Sequence, residues 1–455
     1  MNPCSPFTED EVFEALQNIG DLKAPGPDGM PAIFYKRFWE VIGDHVKIEV
    51  LNVLNGGPLP ADWNNTTVVL IPKVKNPKCI KDLRPISLCN VIYKIVSKVL
   101  TSRLKVFIGN IISQNQSAFI PGRLISDNVL VAYEMTHFIK HKRSGDGYMA
   151  VKLDMSKAYD RVEWNFLEAM LIKLGFNSTW VSLLMKCVRS VTYRIKVNGD
   201  LTEIISPQRG LRQGDPLSPY LFLIVAEGFS SLLHIANQQG LIEGIKICPN
   251  APSISHLLFA DDSLLLLKAD CDNATELQHI LDLYEACSGQ QINKEKCTAL
   301  FSPNCNALRK SEILECLNMT SEGANEKYLG LPVYIGRAKK RIFQYLKGKI
   351  WAKIQGWKEK ILSKAGKEIL IKAVAQAIPT FAMSCFDLTK ELCDEISAMI
   401  CKFWWSQMDK ENKLHWLSWE KLSKPKKRRW LRLQRFILLQ YCNAGKTSME
   451  NYYQS

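Results

Sequence analysis

Two adjacent aspartates between short apolar segments constrain the fold more than any other feature of the sequence. Residues 257–259 and 264–267 are apolar, and they flank Ala260, Asp261, Asp262 and Ser263. Short apolar segments separated by a tight polar turn predict the two strands of a hairpin. Buried carboxylates repel each other and resist desolvation unless a cation neutralises them, which favours a metal site. The alternative is a solvent-exposed hairpin tip.

A third carboxylate, Asp154, ends another predicted strand in the same way. Residues 148–154 alternate, with apolar side chains at 149, 151 and 153. Carboxylates at strand ends, brought together from distant segments, can hold two Mg²⁺ ions about 4 Å apart, as polymerases do. Asp154 and the Asp261–Asp262 pair therefore predict a centre for two-metal phosphoryl transfer.

The local patterns predict helices and strands in an irregular order. Thr8 and Glu11 have the spacing of a capping box and predict the start of a helix. Residues 66–71 predict a strand, and residues 86–104 predict an apolar helix. A hairpin is predicted at residues 198–199, because Asn-Gly is a strong two-residue turn signal. Strands and helices without regular alternation favour an α+β fold over a doubly wound sheet.

Charge is distributed unevenly along the chain. The 59 lysines and arginines outnumber the 45 acids, and the net charge of +14 favours a polyanionic partner. Residues 337–372 hold twelve basic and two acidic residues, and residues 421–435 hold eight basic and no acidic ones. Apolar residues three or four apart in the first segment predict a helix with one apolar face: Phe343, Leu346, Ile350, Ile354, Trp357 and Ile361. Lysines on its other faces can contact nucleic-acid phosphates without reading sequence.

Several other classes of protein and site are not indicated. The longest apolar run is residues 220–226, much shorter than the roughly 18 residues that cross a bilayer, so no membrane helix is expected. The N-terminus lacks the pattern of a secretory signal. Fourteen cysteines include no Cys-x-x-Cys pair, which favours reduced thiols inside the cell. His137 and His141 are four residues apart, but Phe138 lies where an HExxH zinc protease has its glutamate.

Three segments in order resemble motifs A, B and C of reverse transcriptases: DMSKAYD at 154–160, QRGLRQGDPLSPY at 208–220 and FADD at 259–262. Further segments are similar to the fingers motifs of the non-LTR (LINE-type) branch: KAPGPDG at 23–29, LIPK at 70–73, LRPISL at 83–88 and QNQSAFIPGR at 114–123. SGQQINKEK at 288–296 and KYLGLPV at 327–333 are similar to motif D and the primer-grip region of that branch. The resemblance extends over roughly residues 10–420, and so many ordered segments make it specific.

The resemblance implies an RNA-directed DNA polymerase derived from a retrotransposon. Asp154 and Asp261 would ligate both catalytic Mg²⁺ ions, which Mn²⁺ can replace, and Asp262 would be the more peripheral partner. The reaction is attack by a primer 3′-hydroxyl on the α-phosphate of a dNTP, with release of pyrophosphate. Positioning and charge neutralisation supply most of the catalysis in phosphoryl transfer.

The same resemblance assigns residues around the nucleotide. Tyr159 would lie under the incoming sugar and exclude a ribose 2′-hydroxyl. Lys73 and Arg84 would grip the triphosphate. The remaining expected contacts are Gln213 and Gly214 against the template base, Lys296 at the departing pyrophosphate with Lys294 as a nearby competitor, and Tyr328, Leu329 and Gly330 supporting the primer terminus.

The implied fold is a right-hand polymerase, and a chain of 455 residues is expected to contain two or three domains. We expect fingers over 1–145, a ferredoxin-like palm with finger insertions over 146–335, a basic helical thumb over 336–402 and a degenerate downstream tail over 403–455. After Lys426 the family's glycine-rich continuation is replaced, which suggests a frame change or truncation in the coding sequence. Backbone phosphates would be contacted by thumb residues Arg337, Lys339, Lys340, Arg341, Lys347, Lys349 and Lys353.

The expected partners are an RNA template, a DNA primer and dNTPs, without a membrane. A nuclear location follows from the family's need for chromosomal DNA, with residues 426–429 as weak further support. One alternative is a catalytically inactive retroelement remnant that only binds nucleic acid. Another is an intron-maturase-like splicing factor, which the LINE-type fingers segments disfavour.

Overall fold

The computed structural model describes residues 5–319, 322–323, 327–336, 338–358 and 362–405. Its α-helices are α1 Glu9–Gln17, α2 Ala32–Arg37, α3 Trp39–Leu54, α4 Val91–Ile111, α5 Ile125–His141, α6 Trp164–Lys173, α7 Ser178–Arg189, α8 Ser218–Gln238, α9 Cys271–Ser288, α10 Ala307–Cys316, α11 Lys339–Lys358, α12 Lys364–Leu370, α13 Ala377–Cys385 and α14 Lys390–Trp405. Its strands are β1 Asn65–Pro72, β2 Leu83–Cys89, β3 Tyr148–Leu153, β4 Thr192–Val197, β5 Asp200–Leu201, β6 His256–Phe259, β7 Asp262–Lys268, β8 Thr298–Phe301, β9 Lys327–Tyr328 and β10 Leu331–Pro332. The mixed α+β class is confirmed.

The chain divides into two compact units. One consists of Met1–Asn128 and His137–Ala324, and the other of Val129–Thr136 and Asn325–Ser455. The predicted fingers and palm fall almost entirely in the first unit and the predicted thumb in the second. The separate boundaries of fingers, palm and thumb stay predictions.

The main sheet of the first unit has the order β6-β7-β3-β8, with antiparallel neighbours. Alternate residues of β3 face one side of this sheet, so Met149, Val151 and Leu153 are fully buried against α8 and α9. The strand predicted over 148–154 is therefore confirmed. The predicted hairpin around the aspartate pair is confirmed as β6 and β7, which are joined by a two-residue turn.

A second sheet has the order β2-β1-β4-β5. The predicted strand over 66–71 is confirmed as β1, and the hairpin at 198–199 is confirmed as the turn between β4 and β5. The helix predicted over 86–104 is wrong in its first turn. Ile86 and Ser87 pair with β1, and the helix starts only after Asn90, since strand pairing overrides the local helical pattern.

The capping box predicted for the first helix is confirmed. The Thr8 side chain accepts a hydrogen bond from the backbone N–H of Glu11, and the Glu11 carboxylate accepts one from the backbone N–H of Thr8 at 2.9 Å. Arg103 of α4 also donates to Glu11 at 2.7 Å, which lowers the pKa of that carboxyl group. The first helix is thus fixed to the long helix α4.

The second unit is helical around the predicted amphipathic segment. In α11, Phe343, Leu346, Ile350 and Ile354 are all buried, and they pack in one cluster with residues of α14. Trp357 is partly buried and packs against the same cluster, with its ring centroid 5.6 Å from that of Phe403. The predicted apolar face is confirmed for these residues. Arg337, Ile361 and the predicted tail beyond residue 405 lie outside the described residues.

Two helical segments in the described part of the chain are long and apolar enough to span a membrane. They are Ser218–Gln238 and Lys364–Cys385, the second of which joins α12 to α13 through a π-helical turn. Core helices pass the same test, and 67% of the first segment's apolar window is buried. This is weak evidence for a span, and the expected absence of a membrane helix stays a prediction.

Candidate active site

The sheet register brings the three predicted aspartates to one edge. Phe259 pairs with Asp262, so Ala260 and Asp261 form the turn between β6 and β7. Leu153, the last residue of β3, pairs with Ser263 of β7, so Asp154 follows β3 at the same edge of the sheet. The charge of Asp154 raises the pKa of both Asp261 and Asp262, which shows that the three carboxylates interact.

Desolvation by the surrounding protein is the main cause of the raised pKa of two carboxylates, although Asp261 at the turn is exposed and Asp262 is half-buried. Desolvation raises the pKa of Asp261, and Asp154 raises it further, whereas Arg84 opposes the shift. Desolvation and then Asp261 raise the pKa of Asp262, against the charge of Lys152. Negative charge is therefore held at this edge at an electrostatic cost that a bound cation would relieve.

The oxygen donors of this edge suit a hard divalent cation. In the part of the chain that the structure describes, no group of three or more His, Cys, Asp or Glu side chains is arranged as a ready-made metal cage. Mg²⁺ is usually held by one or two carboxylates together with substrate phosphates and water rather than by a closed protein cage. The three interacting aspartates fit that mode of binding.

The predicted motif D segment contacts Asp154 directly. The Nζ atom of Lys296 lies 3.5 Å from a carboxylate oxygen of Asp154, and the two side chains are 67% and 41% exposed. The backbone N–H of Asn293 donates to the Asp154 carbonyl at 2.8 Å, and the Asp154 N–H donates to the Cys297 sulfur at 3.4 Å. Lys296, rather than its predicted competitor Lys294, is thus the lysine of this segment that pairs with Asp154.

Tyr159 is held as an aromatic wall beside Asp261. Its ring stacks on that of Phe222 in α8, with centroids 4.8 Å apart and planes 11° from parallel. Its carbonyl accepts a hydrogen bond from Leu211 at 2.7 Å. Burial and then the charge of Asp261 raise the pKa of Tyr159. Sequence reasoning found Tyr159 but missed Phe222, which looks like any other apolar residue of the helix.

Gln213 and Gly214 of motif B lie against β2. The backbone N–H of Ser87 donates to the Gln213 carbonyl at 2.9 Å, and the Gln213 side chain donates to Asp160 at 3.3 Å. Gly214 has φ +119°, and a Cβ there would lie 2.9 Å from the Ser87 carbonyl oxygen. Only glycine permits this approach. Asp160, to which sequence reasoning gave no role, is the side-chain partner of Gln213.

A buried ion pair lies within motif B. Arg212 donates to Asp215 at 2.6 Å, and both side chains are only 4% exposed. Tyr93 of α4 donates to the same carboxylate at 2.8 Å, and the Arg212 guanidinium lies 4.1 Å from the Tyr93 ring centroid. Arg212 also donates to Asn64 and Thr66, so it joins motif B to β1. Sequence reasoning missed this network.

Lys73 directly follows β1, and Arg84 is the second residue of β2. The Lys73 N–H donates to the Asp82 carbonyl at 2.7 Å, and Arg84 pairs with Ile71 across the strands. Arg84 is exposed, and its charge lowers the pKa of Asp261, while that of Lys73 lowers the pKa of Asp160. Both cations predicted for the triphosphate therefore act on carboxylates of the site.

The predicted primer grip and thumb residues belong to the second unit. Leu329 and Gly330, with φ +51° and +83°, form the two-residue turn between β9 and β10, and Tyr328 is buried. Among the residues of α11 whose side chains are described, the exposed cations are Lys339, Arg341, Lys349 and Lys353.

Two further predicted phosphate ligands already have partners. Lys340 lies 2.7 Å and Lys347 lies 2.6 Å from carboxylate oxygens of Glu395, and Lys340 also pairs with Glu391. Both carboxylates belong to α14, so these ion pairs join α11 to α14. The predicted role of these lysines in contacting phosphates stays a prediction.

Comparison with known proteins decides the family. The model of the reverse transcriptase (RNA-dependent DNA polymerase) family matches residues 71–346, more than half of the chain. The chain belongs to this family. The match runs from β1 into α11 and contains all three aspartates.

Relatives of this reverse transcriptase include proteins of transposable elements. The transposon TX1 uncharacterized 149 kDa protein of Xenopus laevis is 29% identical over 422 residues, which cover 91% of this chain and 31% of that protein. The Pol polyprotein of a type-1 retrotransposable element R2 of Popillia japonica is 28% identical over 297 residues, 65% of this chain and 39% of that protein. The resemblance to non-LTR retrotransposon reverse transcriptases is thus confirmed. The chain spans between about a third and two fifths of the length of these relatives.

Other matches are shorter or more distant. An uncharacterized mitochondrial protein of Arabidopsis thaliana is 52% identical over 67 residues, 15% of this chain and 55% of that protein. Among solved structures, apo telomerase from Candida tropicalis, truncated from the C-terminal domain, has a TM-score of 0.42 at 12% identity and covers 68% of this chain and 61% of its own.

Proposed function

We propose that this reverse transcriptase extends a DNA primer on an RNA template with dNTPs and releases pyrophosphate. The observation that carries the proposal is the set of three interacting aspartates at the end of β3 and in the β6–β7 turn, within a chain of the reverse transcriptase family. Two of them have raised pKa values because desolvation and neighbouring like charges disfavour their ionised forms. Such a costly arrangement is typical of a functional site.

Asp154, Asp261 and Asp262 would hold two Mg²⁺ ions, or Mn²⁺ in their place. Bound there, the ions would activate the primer hydroxyl and neutralise charge on the reacting phosphates. Lys296 pairs with Asp154 in the structure, and a cation that took its place at the carboxylate would free it to move toward the leaving pyrophosphate. Its ammonium group would then neutralise that product.

The remaining site residues orient the nucleotide. Arg84 and Lys73 would bind the triphosphate, Arg84 through a bidentate contact that suits its planar guanidinium. Tyr159, backed by Phe222, would exclude a 2′-hydroxyl and so select dNTPs. Gly214 would let the backbone approach the template base closely, because it carries no side chain.

The second unit would hold the nucleic acid. The exposed cations Lys339, Arg341, Lys349 and Lys353 of α11 suit contact with backbone phosphates. Such binding is independent of sequence and weakens steeply with salt. Lys340 and Lys347 can contribute only by leaving or sharing their ion pairs with Glu395.

Primer extension tests the proposal. The purified chain is given a DNA primer annealed to an RNA template, dNTPs and Mg²⁺, and products are resolved on a denaturing gel. We expect extension by the wild type and a loss of at least about 100-fold in Asp261→Asn, because a charge-stabilising group is removed from the reacting centre. Salt-sensitive RNA binding without extension in Mg²⁺ or Mn²⁺ would refute the proposal and favour a remnant that only binds nucleic acid.

A further inference from the structure

The turn that carries Asp261 has an unfavourable backbone conformation. Ala260, the first of the two turn residues, has φ +54°, and Asp261 does not share a positive φ. Two-residue hairpin turns with a positive φ at the first position strongly prefer glycine there. A side chain in this region is disfavoured by contact with its own backbone, so alanine stays there only if the surroundings hold it.

One buried side chain contacts this turn from outside the hairpin. The Oε1 atom of Gln116 accepts a hydrogen bond from the Ala260 N–H at 3.0 Å. The same oxygen accepts from the Ala118 N–H, also at 3.0 Å. Gln116 is only 1% exposed, so these bonds are shielded from water. The Ala260 amide lies outside the β6–β7 ladder and obtains its acceptor from this side chain.

The segment around Gln116 is itself fixed to β6. Gln116 forms a parallel bridge with Leu258, whose N–H donates to the Asn115 carbonyl at 2.8 Å. The Leu258 carbonyl accepts from the Ser117 N–H at 3.1 Å and from the Asn128 side chain at 2.8 Å. Residues 115–117 thus lie along β6 like an additional edge strand. The Gln116 amide group is therefore held at a fixed distance from the turn.

The two hydrogen bonds that Oε1 accepts fix the orientation of the Gln116 side-chain amide. Its Nε2 atom is buried and has no hydrogen-bond partner among the described residues. A reversed amide would place that N–H₂ group against two backbone N–H donors, which repel it. The two bonds at Oε1 therefore outweigh the unsatisfied donor, and through them the side chain joins the backbone of the turn at Ala260 to that of its own segment at Ala118.

We propose that Gln116 is a positioning residue for the catalytic turn. Its side chain accepts a hydrogen bond from the Ala260 N–H and so stabilises the left-handed conformation of Ala260. This conformation sets the direction in which the side chains of Asp261 and Asp262 project from the hairpin. The inference rests on the proposed function in that these aspartates are the metal-binding groups. It adds a residue from the segment that follows α4, 144 positions before the turn.

The test combines two substitutions. Gln116→Met keeps the size of the side chain and removes the acceptor, whereas Gln114→Met changes an exposed neighbour in the same segment and is the matched control. Ala260→Gly removes the conformational penalty, because glycine adopts a positive φ freely. If Gln116 acts by stabilising the turn, Gln116→Met should have a much smaller effect in a protein that also carries Ala260→Gly.

Two measurements do not require catalysis: amide hydrogen exchange of the peptide that contains Ala260, and Mn²⁺ binding followed by electron paramagnetic resonance. Two others describe catalysis: the kcat of primer extension and the KM for dNTP. We expect Gln116→Met to accelerate exchange, weaken Mn²⁺ binding and lower kcat by roughly 10–100-fold, as for residues that orient metal ligands. In the Ala260→Gly background the same substitution should change kcat by less than about threefold.

The outcomes separate the inference from the proposed function. If Gln116→Met matches Gln114→Met in exchange, Mn²⁺ binding and kcat, or if Ala260→Gly fails to lessen its effect, Gln116 does not act through the turn. If the wild type never extends a primer, the proposed function fails, while exchange and Mn²⁺ binding still test the role of Gln116. If Gln116→Met does not fold, Gln116→Asn makes the same comparison, because its shorter side chain cannot reach both N–H groups.

Discussion

Replacing Asp215 by asparagine tests the buried ion pair of motif B, because it removes the negative charge that faces Arg212. The Asp215 carboxylate accepts from Arg212 at 2.6 Å, from Tyr93 at 2.8 Å and from the Leu217 N–H at 2.9 Å. Asparagine has the same shape but no charge. Asp215→Asn therefore leaves the Arg212 guanidinium buried without a counter-ion.

The expected cost follows from the burial of the pair. Both side chains are 4% exposed, and removing one partner of a buried ion pair typically costs about 3–5 kcal/mol, because the remaining charge is uncompensated. The first unit has more than 300 residues, and at about 2.1 cal/mol/K of unfolding entropy per residue each kcal/mol lowers its melting temperature by about 1.5 °C. We therefore expect Asp215→Asn to melt about 5–8 °C below the wild type.

A surface pair of the same chemistry provides the control. Arg189 lies 2.7 Å from Glu168, and their side chains are 42% and 33% exposed. Glu168→Gln should therefore cost less than about 1 kcal/mol, because water screens the pair. Urea unfolding of both variants gives the free energies, and hydrogen exchange in β1 and α4 assigns the loss to the first unit, since two units need not unfold together.

A contrary result would be clear. If Asp215→Asn unfolds within about 1 kcal/mol of the wild type, as Glu168→Gln should, the Arg212 network does not stabilise motif B. A loss of stability confined to the second unit would contradict the account equally.

Three other outcomes are expected. Burial, and then His234, lower the pKa of His256 to about 4. The native state therefore resists protonation, so stability is complete above about pH 6.5 and falls by about 2 kcal/mol by pH 5. His256→Gln should remove this dependence in urea unfolding. Phe222→Leu removes the ring on which Tyr159 stacks, so it should lower the ratio of kcat/KM for dNTP to kcat/KM for rNTP. Phe229→Leu is the control, because Phe229 lies in the same helix but stacks on Tyr284, and it should leave this ratio unchanged. Equal preferences in the two variants would contradict that role. For binding to an RNA–DNA duplex, the logarithm of the binding constant is plotted against the logarithm of the salt concentration. Lys349→Gln should reduce the slope of this plot by about one, and an unchanged slope would exclude a contact between Lys349 and a phosphate.

The aspartates could be located from the sequence because their signal is local. Carboxylates directly after apolar strands mark strand ends, and the antiparallel pairing of β3, β6 and β7 then brings them to one edge. The amphipathic face of α11 was equally visible, since it depends only on helical spacing. By contrast, residues 86–89 have a helical pattern but pair with β1, a contact that local spacing does not contain.

The supporting residues could not be found in this way. Arg212 meets Asn64 across 148 positions and Gln116 meets Ala260 across 144, and no periodicity links such residues. The positive φ of Ala260 also has no sequence signal, because alanine is not a residue that predicts it. Motif spacing indicates which groups do the chemistry, whereas the groups that hold them depend on tertiary packing.

The central claim is that these three aspartates catalyse RNA-templated DNA synthesis. Its most direct test is the rate of single-nucleotide addition to a DNA primer on an RNA template, measured for the wild type, Asp154→Asn and Asp261→Asn. Asp272→Asn, at an exposed position in the first turn of α9, is the matched control. We expect Mg²⁺-dependent addition by the wild type and the control, and a loss of at least about 100-fold in each of the other two variants. Addition at the wild-type rate by Asp154→Asn or Asp261→Asn would contradict the account.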